Sequence, residues 1–85
     1  MLNGDFLAAQ SASLARRLRR EAGDDRRAQV SLALRLATSR VPSEAEIRRG
    51  LDLISGLESG GLASDESLKV YAMVVLNLNE FLYLD

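Results

Sequence analysis

Apolar residues recur every three or four positions along most of the chain, the spacing that places them on one face of an α-helix. The first such segment runs from about Gly4 to Glu21, and Asn3 is its predicted N-cap. Its inner stripe consists of Leu7, Ser11, Leu14, Leu18 and Ala22, widened by Phe6. Gly23 follows and is suited to end a helix, because glycine readily adopts left-handed backbone angles. The pattern predicts an amphipathic helix whose other face carries arginines.

A second helix is predicted to begin at Asp24 or Asp25, since either side chain can cap it. Its inner stripe consists of Val30, Ala33, Leu34 and Ala37, with Leu32 and Leu36 at the flanks. The helix must end near residues 38–40, because Pro42 pushes the residue before it out of the helical region.

The start of the third helix is marked by Ser43 and Glu46, which have the spacing of a capping box. Apolar residues follow at helical spacing: Ile47, Leu51, Ile54 and Leu57. Gly50 lies inside this helix and costs up to about 1 kcal/mol relative to alanine. We therefore expect a neighbouring helix to approach closely at Gly50. Residues 59–61 end the helix and form a loop.

The fourth segment begins at Ser64 or Asp65, and its residues 70–76 are all apolar. A buried strand is the alternative, but a lone strand would leave its backbone groups without partners. We therefore predict a helix that is surrounded by the other three and is the most buried of the four. Residues 77–85 are expected to break into a turn with a short last segment. Residues 78–85 are expected to belong to the fold, with Phe81 and Leu84 on one side, Leu78 one turn before them and Tyr83 at the edge of the core.

These elements predict an all-α fold, a four-helix domain that spans residues 1–85 as a single unit. Hydrophobic residues make up 47% of the sequence and charged residues 27%, a composition typical of a globular domain. No apolar segment reaches the roughly 18 residues that a membrane-spanning helix needs.

The charges are distributed unevenly between the two halves of the chain. Residues 1–50 contain ten arginines and six acidic residues, whereas residues 51–85 contain one lysine and six acidic residues. Halves of opposite sign can attract each other within the fold. The densest basic cluster consists of Arg16, Arg17, Arg19, Arg20, Arg26 and Arg27. A phosphate-binding or nucleic-acid face is one interpretation, but interleaved acids and a pI of about 5.4 favour a solvated helix face and no nucleic-acid partner.

The chain contains no histidine and no cysteine, which excludes a Ser-His-Asp triad, a thiolate nucleophile, a zinc site of the usual ligands and covalent haem attachment. The acidic residues are explained as helix caps or as first-turn charges. We therefore expect no catalytic residue, no cofactor, no metal site and no enzymatic activity. One structural polar cluster is predicted, in which Glu80 accepts hydrogen bonds from an arginine such as Arg40 or Arg35 and lies beside Asn77 and Asn79.

Three short motifs resemble those of one helical domain family. They are Leu2-Asn3-Gly4-Asp5-Phe6 followed by Gln10 and Ala15-Arg16, then Leu36-Ala37-x-x-Arg40-Val41-Pro42-Ser43-x-x-Glu46, and finally Leu76-Asn77-Leu78-Asn79-Glu80-Phe81-Leu82-Tyr83-Leu84-Asp85. In this order they resemble the C-terminal part of the planctomycete-specific domain-one family. The resemblance implies a piece of a larger exported protein, often with a cytochrome-c-like domain upstream, and supplies no catalytic residue.

Two functional hypotheses follow from the residues and the resemblance together. The first is a non-catalytic structural or protein-interaction module that contacts other domains of a parent chain or a separate protein. The alternative is an accessory domain of an exported redox or enzyme assembly whose chemistry lies elsewhere in the parent chain. A small nucleic-acid-binding helical domain is the third and least favoured possibility.

Overall fold

Four α-helices follow one another in a computed structural model that describes the backbone of residues 4–84 and the side chains of residues 4–78. They are α1 (Gly4–Ala22), α2 (Arg26–Thr38), α3 (Glu44–Ser59) and α4 (Ser64–Leu84). No strand occurs within the described backbone. The predicted all-α, four-helix domain is confirmed.

The boundaries around α2 follow from local chemistry. Gly23, directly after α1, has a φ of 63°, so the left-handed conformation expected of this glycine is confirmed. The side chain of Asp25 accepts a hydrogen bond from the Ala28 amide at 3.1 Å, which makes it the N-cap of α2. Ser39 ends the helix in a left-handed conformation, and its amide donates to the carbonyl of Arg35 at 2.9 Å.

The capping box predicted for α3 is confirmed in both directions. The Ser43 hydroxyl accepts from the Glu46 amide at 3.1 Å, and the Glu46 carboxylate accepts from the Ser43 amide at 2.9 Å. Two of the four orphan donors of the first turn are thereby satisfied.

The predicted break after Leu76 is wrong, because α4 continues without interruption to Leu84. Neither proline nor glycine occurs in residues 77–84, and asparagine costs only a fraction of a kcal/mol in a helix (about 0.7 kcal/mol at most). Leu78, which we expected to face the core, is 55% exposed. The side chains of Phe81, Tyr83 and Leu84, whose packing was predicted, and the predicted N-cap Asn3 lie outside the described part of the chain.

The core is formed where all four helices meet. Both α2 and α4 contact each of the other helices, while α1 and α3 do not contact each other within the described part of the chain. The buried apolar residues are Ala15, Leu18, Val30, Ala33, Leu34, Ile47, Ile54, Leu68, Tyr71, Ala72 and Val75. The expectation that α4 is the most buried helix stays a prediction.

The close approach expected at Gly50 is confirmed. A Cβ atom at this position would lie 2.7 Å from both the Tyr71 hydroxyl oxygen and Val30 Cγ1. Because Tyr71 belongs to α4 and Val30 to α2, three helices meet at Gly50, where α3 has no side chain to separate them.

Candidate functional site

The arginine cluster at the end of α1 and the start of α2 is largely occupied by ion pairs within the chain. The pairs are Arg17–Glu21 at 2.6 Å, Arg19–Asp65 at 3.5 Å, Arg26–Glu58 at 3.0 Å and Arg27–Glu44. Two of them, those to Asp65 and Glu58, join the positive half of the sequence to the negative half, as the charge distribution suggested. Arg16 and Arg20 have no ion pair among the described residues.

Arg26 is the most connected member of this cluster. Its Nη1 donates to Gln29 Oε1 at 2.8 Å, and its Nη2 donates to Glu58 Oε2 at 3.0 Å and to Ser64 Oγ at 2.7 Å. The contacts join the first turn of α2 to the end of α3 and the start of α4. Arg26 therefore serves the fold and is not available to a ligand.

The predicted polar cluster is only partly described. The carboxylate partner of Arg40 is Glu46, through Nη1–Oε1 at 3.0 Å and Nη2–Oε2 at 2.7 Å. Asn77 is exposed, while the side chains of Asn79 and Glu80 lie outside the described residues, so their part in a cluster stays a prediction. The sequence gives an indication of the observed Arg40–Glu46 pair. The predicted capping box places Glu46 in the first turn of α3, only six residues after Arg40.

Hydrogen bonds to Glu46 stabilise its charged form. The hydrogen bond from Arg40 and then the one from the Ser43 amide lower the pKa of Glu46 from 4.5 to about 2. The same contact raises the pKa of Arg40. Both groups are therefore charged at neutral pH.

A groove of about 370 Å³ lies between α1, α2 and the middle of α4. Its apolar lining comes from Leu14, Ala33, Leu36, Ala37, Val75 and Leu76, and its polar lining from Gln10, Ser13, Arg16, Arg17 and Arg20. Arg16, Arg17 and Arg20 are all exposed, which places their charges at the edge of the groove.

Two further hollows continue this groove along the outside of α2. One, of about 500 Å³, is lined by Leu32, Arg35, Leu36, Ser39, Arg40 and Val41, and the other, of about 330 Å³, by Glu21, Ala22, Ala28, Ser31, Leu32 and Arg35. Leu36 belongs to the first two hollows, and Leu32 and Arg35 belong to the last two. The three hollows thus form one continuous surface, here called the α1–α2 surface.

Large apolar side chains are exposed on the α1–α2 surface. Leu36 is 38% exposed and Val41 is 75% exposed, whereas Leu32 is half-buried. Leu32 and Leu36 were predicted at the flanks of the inner stripe and not as part of a site. Their spacing of four residues is the signal, because it aligns them along one side of α2.

A second groove, of about 250 Å³, lies between α3 and α4 and includes the exposed Leu53 and Leu78. Tyr71 lines it together with Glu46 and Arg49. Burial of the phenol, and secondarily the negative charge of Glu46, raise the pKa of Tyr71 to about 12. The phenol therefore stays neutral over the physiological range and acts as a packing element.

Two serines are fully buried in the helix interfaces. Ser11, on the predicted inner stripe of α1, donates its hydroxyl to the Leu7 carbonyl at 2.7 Å. The Ser67 hydroxyl has no hydrogen-bond partner among the described residues, and sequence analysis did not predict its burial. A buried hydroxyl without a partner costs free energy relative to one that is bonded.

In the described part of the chain, no three His, Cys, Asp or Glu side chains lie together as a metal site would require. No helix in this part of the chain has the length and apolar character needed to cross a membrane.

No family model, curated protein or solved structure was found to match this chain.

Proposed function

We propose that this chain is a non-catalytic structural or protein-interaction module whose contact surface is the α1–α2 surface. The observation that carries the proposal is the continuity of three hollows around Leu36, with Leu36 and Val41 exposed among them. Single exposed apolar residues are common on protein surfaces and indicate nothing. Contiguous apolar surface edged by polar groups is typical of a protein-interaction site.

The helix at the centre of this surface, α2, is capped at both ends, which supports a preformed site. Asp25 caps α2 at one end, and Ser39 terminates it at the other. The inner side of α2 is anchored by Val30, Ala33 and Leu34, all of which are buried. A partner that binds a preformed groove loses less free energy to ordering of the protein than one that must organise its site.

The three sequence motifs add a context to the proposal. Their order and their coverage of nearly the whole chain support a domain of a larger exported protein, in which the partner is another domain of that protein or a separate protein. Sequencing the gene on both sides of this segment tests the context: an open reading frame without any export signal or further domain would contradict it.

An unbiased peptide selection tests the interaction itself. The chain is immobilised, peptides are selected from a displayed random library, and the affinity of each enriched peptide is measured for two variants. Leu36→Asp places a charge on the α1–α2 surface. Leu53→Asp is the matched control, because Leu53 is 37% exposed and Leu36 is 38% exposed, and Leu53 lies on α3.

We expect enriched peptides with Kd values of about 1–100 μM, a range typical of modest helix-in-groove contacts. Leu36→Asp should weaken binding at least tenfold, whereas Leu53→Asp should leave it within about twofold of the parent. Circular dichroism of both variants checks that the helices are retained. The proposal is wrong if no peptide is enriched, or if the enriched peptides bind Leu36→Asp as tightly as they bind Leu53→Asp.

A further inference from the structure

We infer that the α1–α2 surface binds an acidic amphipathic helix of a protein partner, an inference that rests on the proposed function and specifies the chemistry of the ligand. The surface combines an aliphatic centre with a border of guanidinium groups. A helix that carries leucines on one face and carboxylates on both flanks complements both features.

The charge of the surface is strongly positive. The arginines that line its three hollows are Arg16, Arg17, Arg20, Arg35 and Arg40, and the one acidic residue in their lining is Glu21. Arg17 is paired with Glu21, and Arg40 with Glu46.

The remaining three arginines, Arg16, Arg20 and Arg35, have no ion pair within the described part of the chain. They differ in this from Arg19, Arg26 and Arg27, which are paired with acids of other helices. Guanidinium groups bind carboxylates through charge-assisted and often bidentate hydrogen bonds. Unpaired arginines beside an apolar groove therefore favour an acidic partner over a basic or neutral one.

The apolar part of the surface fits a helix. Leu32 and Leu36 are four residues apart and form a ridge along α2, and the groove beside this ridge reaches Leu14 of α1 and Val75 of α4. A groove between two helices accepts the apolar face of a third through side chains at positions i, i+3 or i+4, and i+7. On such a helix, glutamates at neighbouring positions lie to either side of the leucine stripe and reach the arginines at the edge.

Two other classes of ligand fit the surface less well. None of the residues that line the three hollows is aromatic, so the surface has no platform on which nucleic-acid bases could stack. Interfacial membrane binding uses a broad face of projecting apolar side chains, whereas the exposed large apolar residues that line these three hollows are Leu36 and Val41. Both classes are included in the test.

The probe is a synthetic peptide of about 18 residues, or five helical turns, with leucines at helical spacing and glutamates on both flanks. Its counterpart has lysine at every glutamate position. Fluorescence anisotropy of the labelled peptides measures Kd at about 0.15 M ionic strength, where exposed charges are screened beyond about 8 Å. A duplex DNA and vesicles with anionic headgroups are titrated under the same conditions.

Charge reversal at two positions gives a matched pair of variants. Arg16→Glu with Arg20→Glu alters the α1–α2 surface. Arg48→Glu with Arg49→Glu changes the net charge equally on α3, where both arginines are exposed and without an ion pair in the described structure. If the Arg16→Glu, Arg20→Glu double variant fails to fold, the double variant Arg16→Gln with Arg20→Gln replaces it and removes the two positive charges without adding negative ones.

We expect the acidic peptide to bind at least tenfold more tightly than the lysine peptide, and binding to weaken at least tenfold in the Arg16/Arg20 variant. The Arg48/Arg49 variant should stay within about threefold of the parent. Equal affinity for both peptides, equal effects of the two double variants, or tighter binding of DNA or vesicles would overturn the inference.

The outcome also separates this inference from the proposed function. If the displayed library yields neutral or basic peptides whose binding is sensitive to Leu36→Asp, the surface is an interaction site and the acidic-helix inference alone is wrong. If neither the library nor the acidic peptide yields a ligand, both are wrong.

Discussion

The guanidinium of Arg40 holds the carboxylate of Glu46 in a bidentate contact, with hydrogen bonds of 3.0 Å and 2.7 Å. Glu46 Oε1 simultaneously accepts from the Ser43 amide at 2.9 Å. One carboxylate thus completes the capping box of α3 and ties the loop between α2 and α3 to the first turn of that helix. This loop borders the α1–α2 surface through Ser39 and Val41.

Protonation of Glu46 should weaken the fold. Because the folded-state pKa is about 2 and the ordinary value 4.5, the stability that this group contributes is fully present above about pH 4.5 and is lost as the pH falls towards 2. We expect the free energy of unfolding, measured with urea at neutral pH and near pH 3, to change less with pH in Glu46→Gln than in the parent. Asp52→Asn, which removes an exposed carboxylate of α3, is the control. The prediction is contradicted if Glu46→Gln loses as much free energy of unfolding between neutral pH and pH 3 as Asp52→Asn does.

Gly50→Ala should destabilise the protein although alanine is the better helix former. The added methyl group would lie 2.7 Å from the Tyr71 hydroxyl oxygen and from Val30 Cγ1, so both neighbours must move. Overpacking of this kind costs about 1–3 kcal/mol, against a gain of up to about 1 kcal/mol in helix propensity. A thermal melt should show a lower Tm. Removing the hydroxyl with Tyr71→Phe should recover part of the loss in the double variant.

Gly56→Ala is the control for this prediction, because it changes the same residue type in the same helix. A Cβ at Gly56 would have no heavy atom within 4 Å outside its own helix backbone and chain neighbours. We therefore expect a gain of about 0.5–1 kcal/mol, or several degrees in Tm at about 4–8 °C per kcal/mol. Shifts of the same sign at both glycines would show that contact at Gly50 does not decide the outcome.

Tyr71 should ionise only at strongly alkaline pH. Its folded pKa of about 12 exceeds the ordinary 10.0, so the stability it contributes is fully present below pH 10 and is lost as the pH rises through about 12. The sequence contains two tyrosines, and Tyr83→Phe leaves Tyr71 as the sole chromophore. The ultraviolet absorbance of tyrosinate in this variant should rise near pH 12, and near pH 10 once the protein is unfolded in urea. A midpoint near 10 in the folded protein would contradict the burial of the phenol.

Arg26→Met should cost about 1–2 kcal/mol, because hydrogen bonds to a charged group that is partly shielded from water are worth more than exposed ones. The side chain of Arg26 is 24% exposed and bonds Gln29, Glu58 and Ser64. Arg17→Met is the control, since the Arg17–Glu21 pair lies on one helix with side chains 47% and 42% exposed. Such pairs contribute about 0.3–0.5 kcal/mol. Equal decreases of Tm in the two variants would show that the contacts of Arg26 between helices add no stability beyond that of an exposed ion pair.

The sequence by itself determined the number of helices and most of their ends. Asp25, Ser43 and Gly23 act on backbone groups within about four residues of themselves, so their effect does not depend on the rest of the fold. The close approach at Gly50 was predicted correctly, but the same reasoning does not hold for Gly56 of the same helix, where no atom outside the helix backbone and the chain neighbours lies within 4 Å of a Cβ.

The tertiary structure decided which flanking side chains form a surface. Helical spacing put Val30 and Leu34 on the inner stripe of α2 and Leu36 at its flank, but the positions of α1 and α4 decided that Leu36 stays exposed. The sequence also does not determine the ion-pair partners of the arginines, since any carboxylate within reach can pair. The packing of the helices brings Glu58 to Arg26 and leaves Arg16 and Arg20 without an ion pair among the described residues. Helix formation depends on near neighbours in sequence, whereas burial and ion pairing depend on residues that become neighbours only when the helices meet.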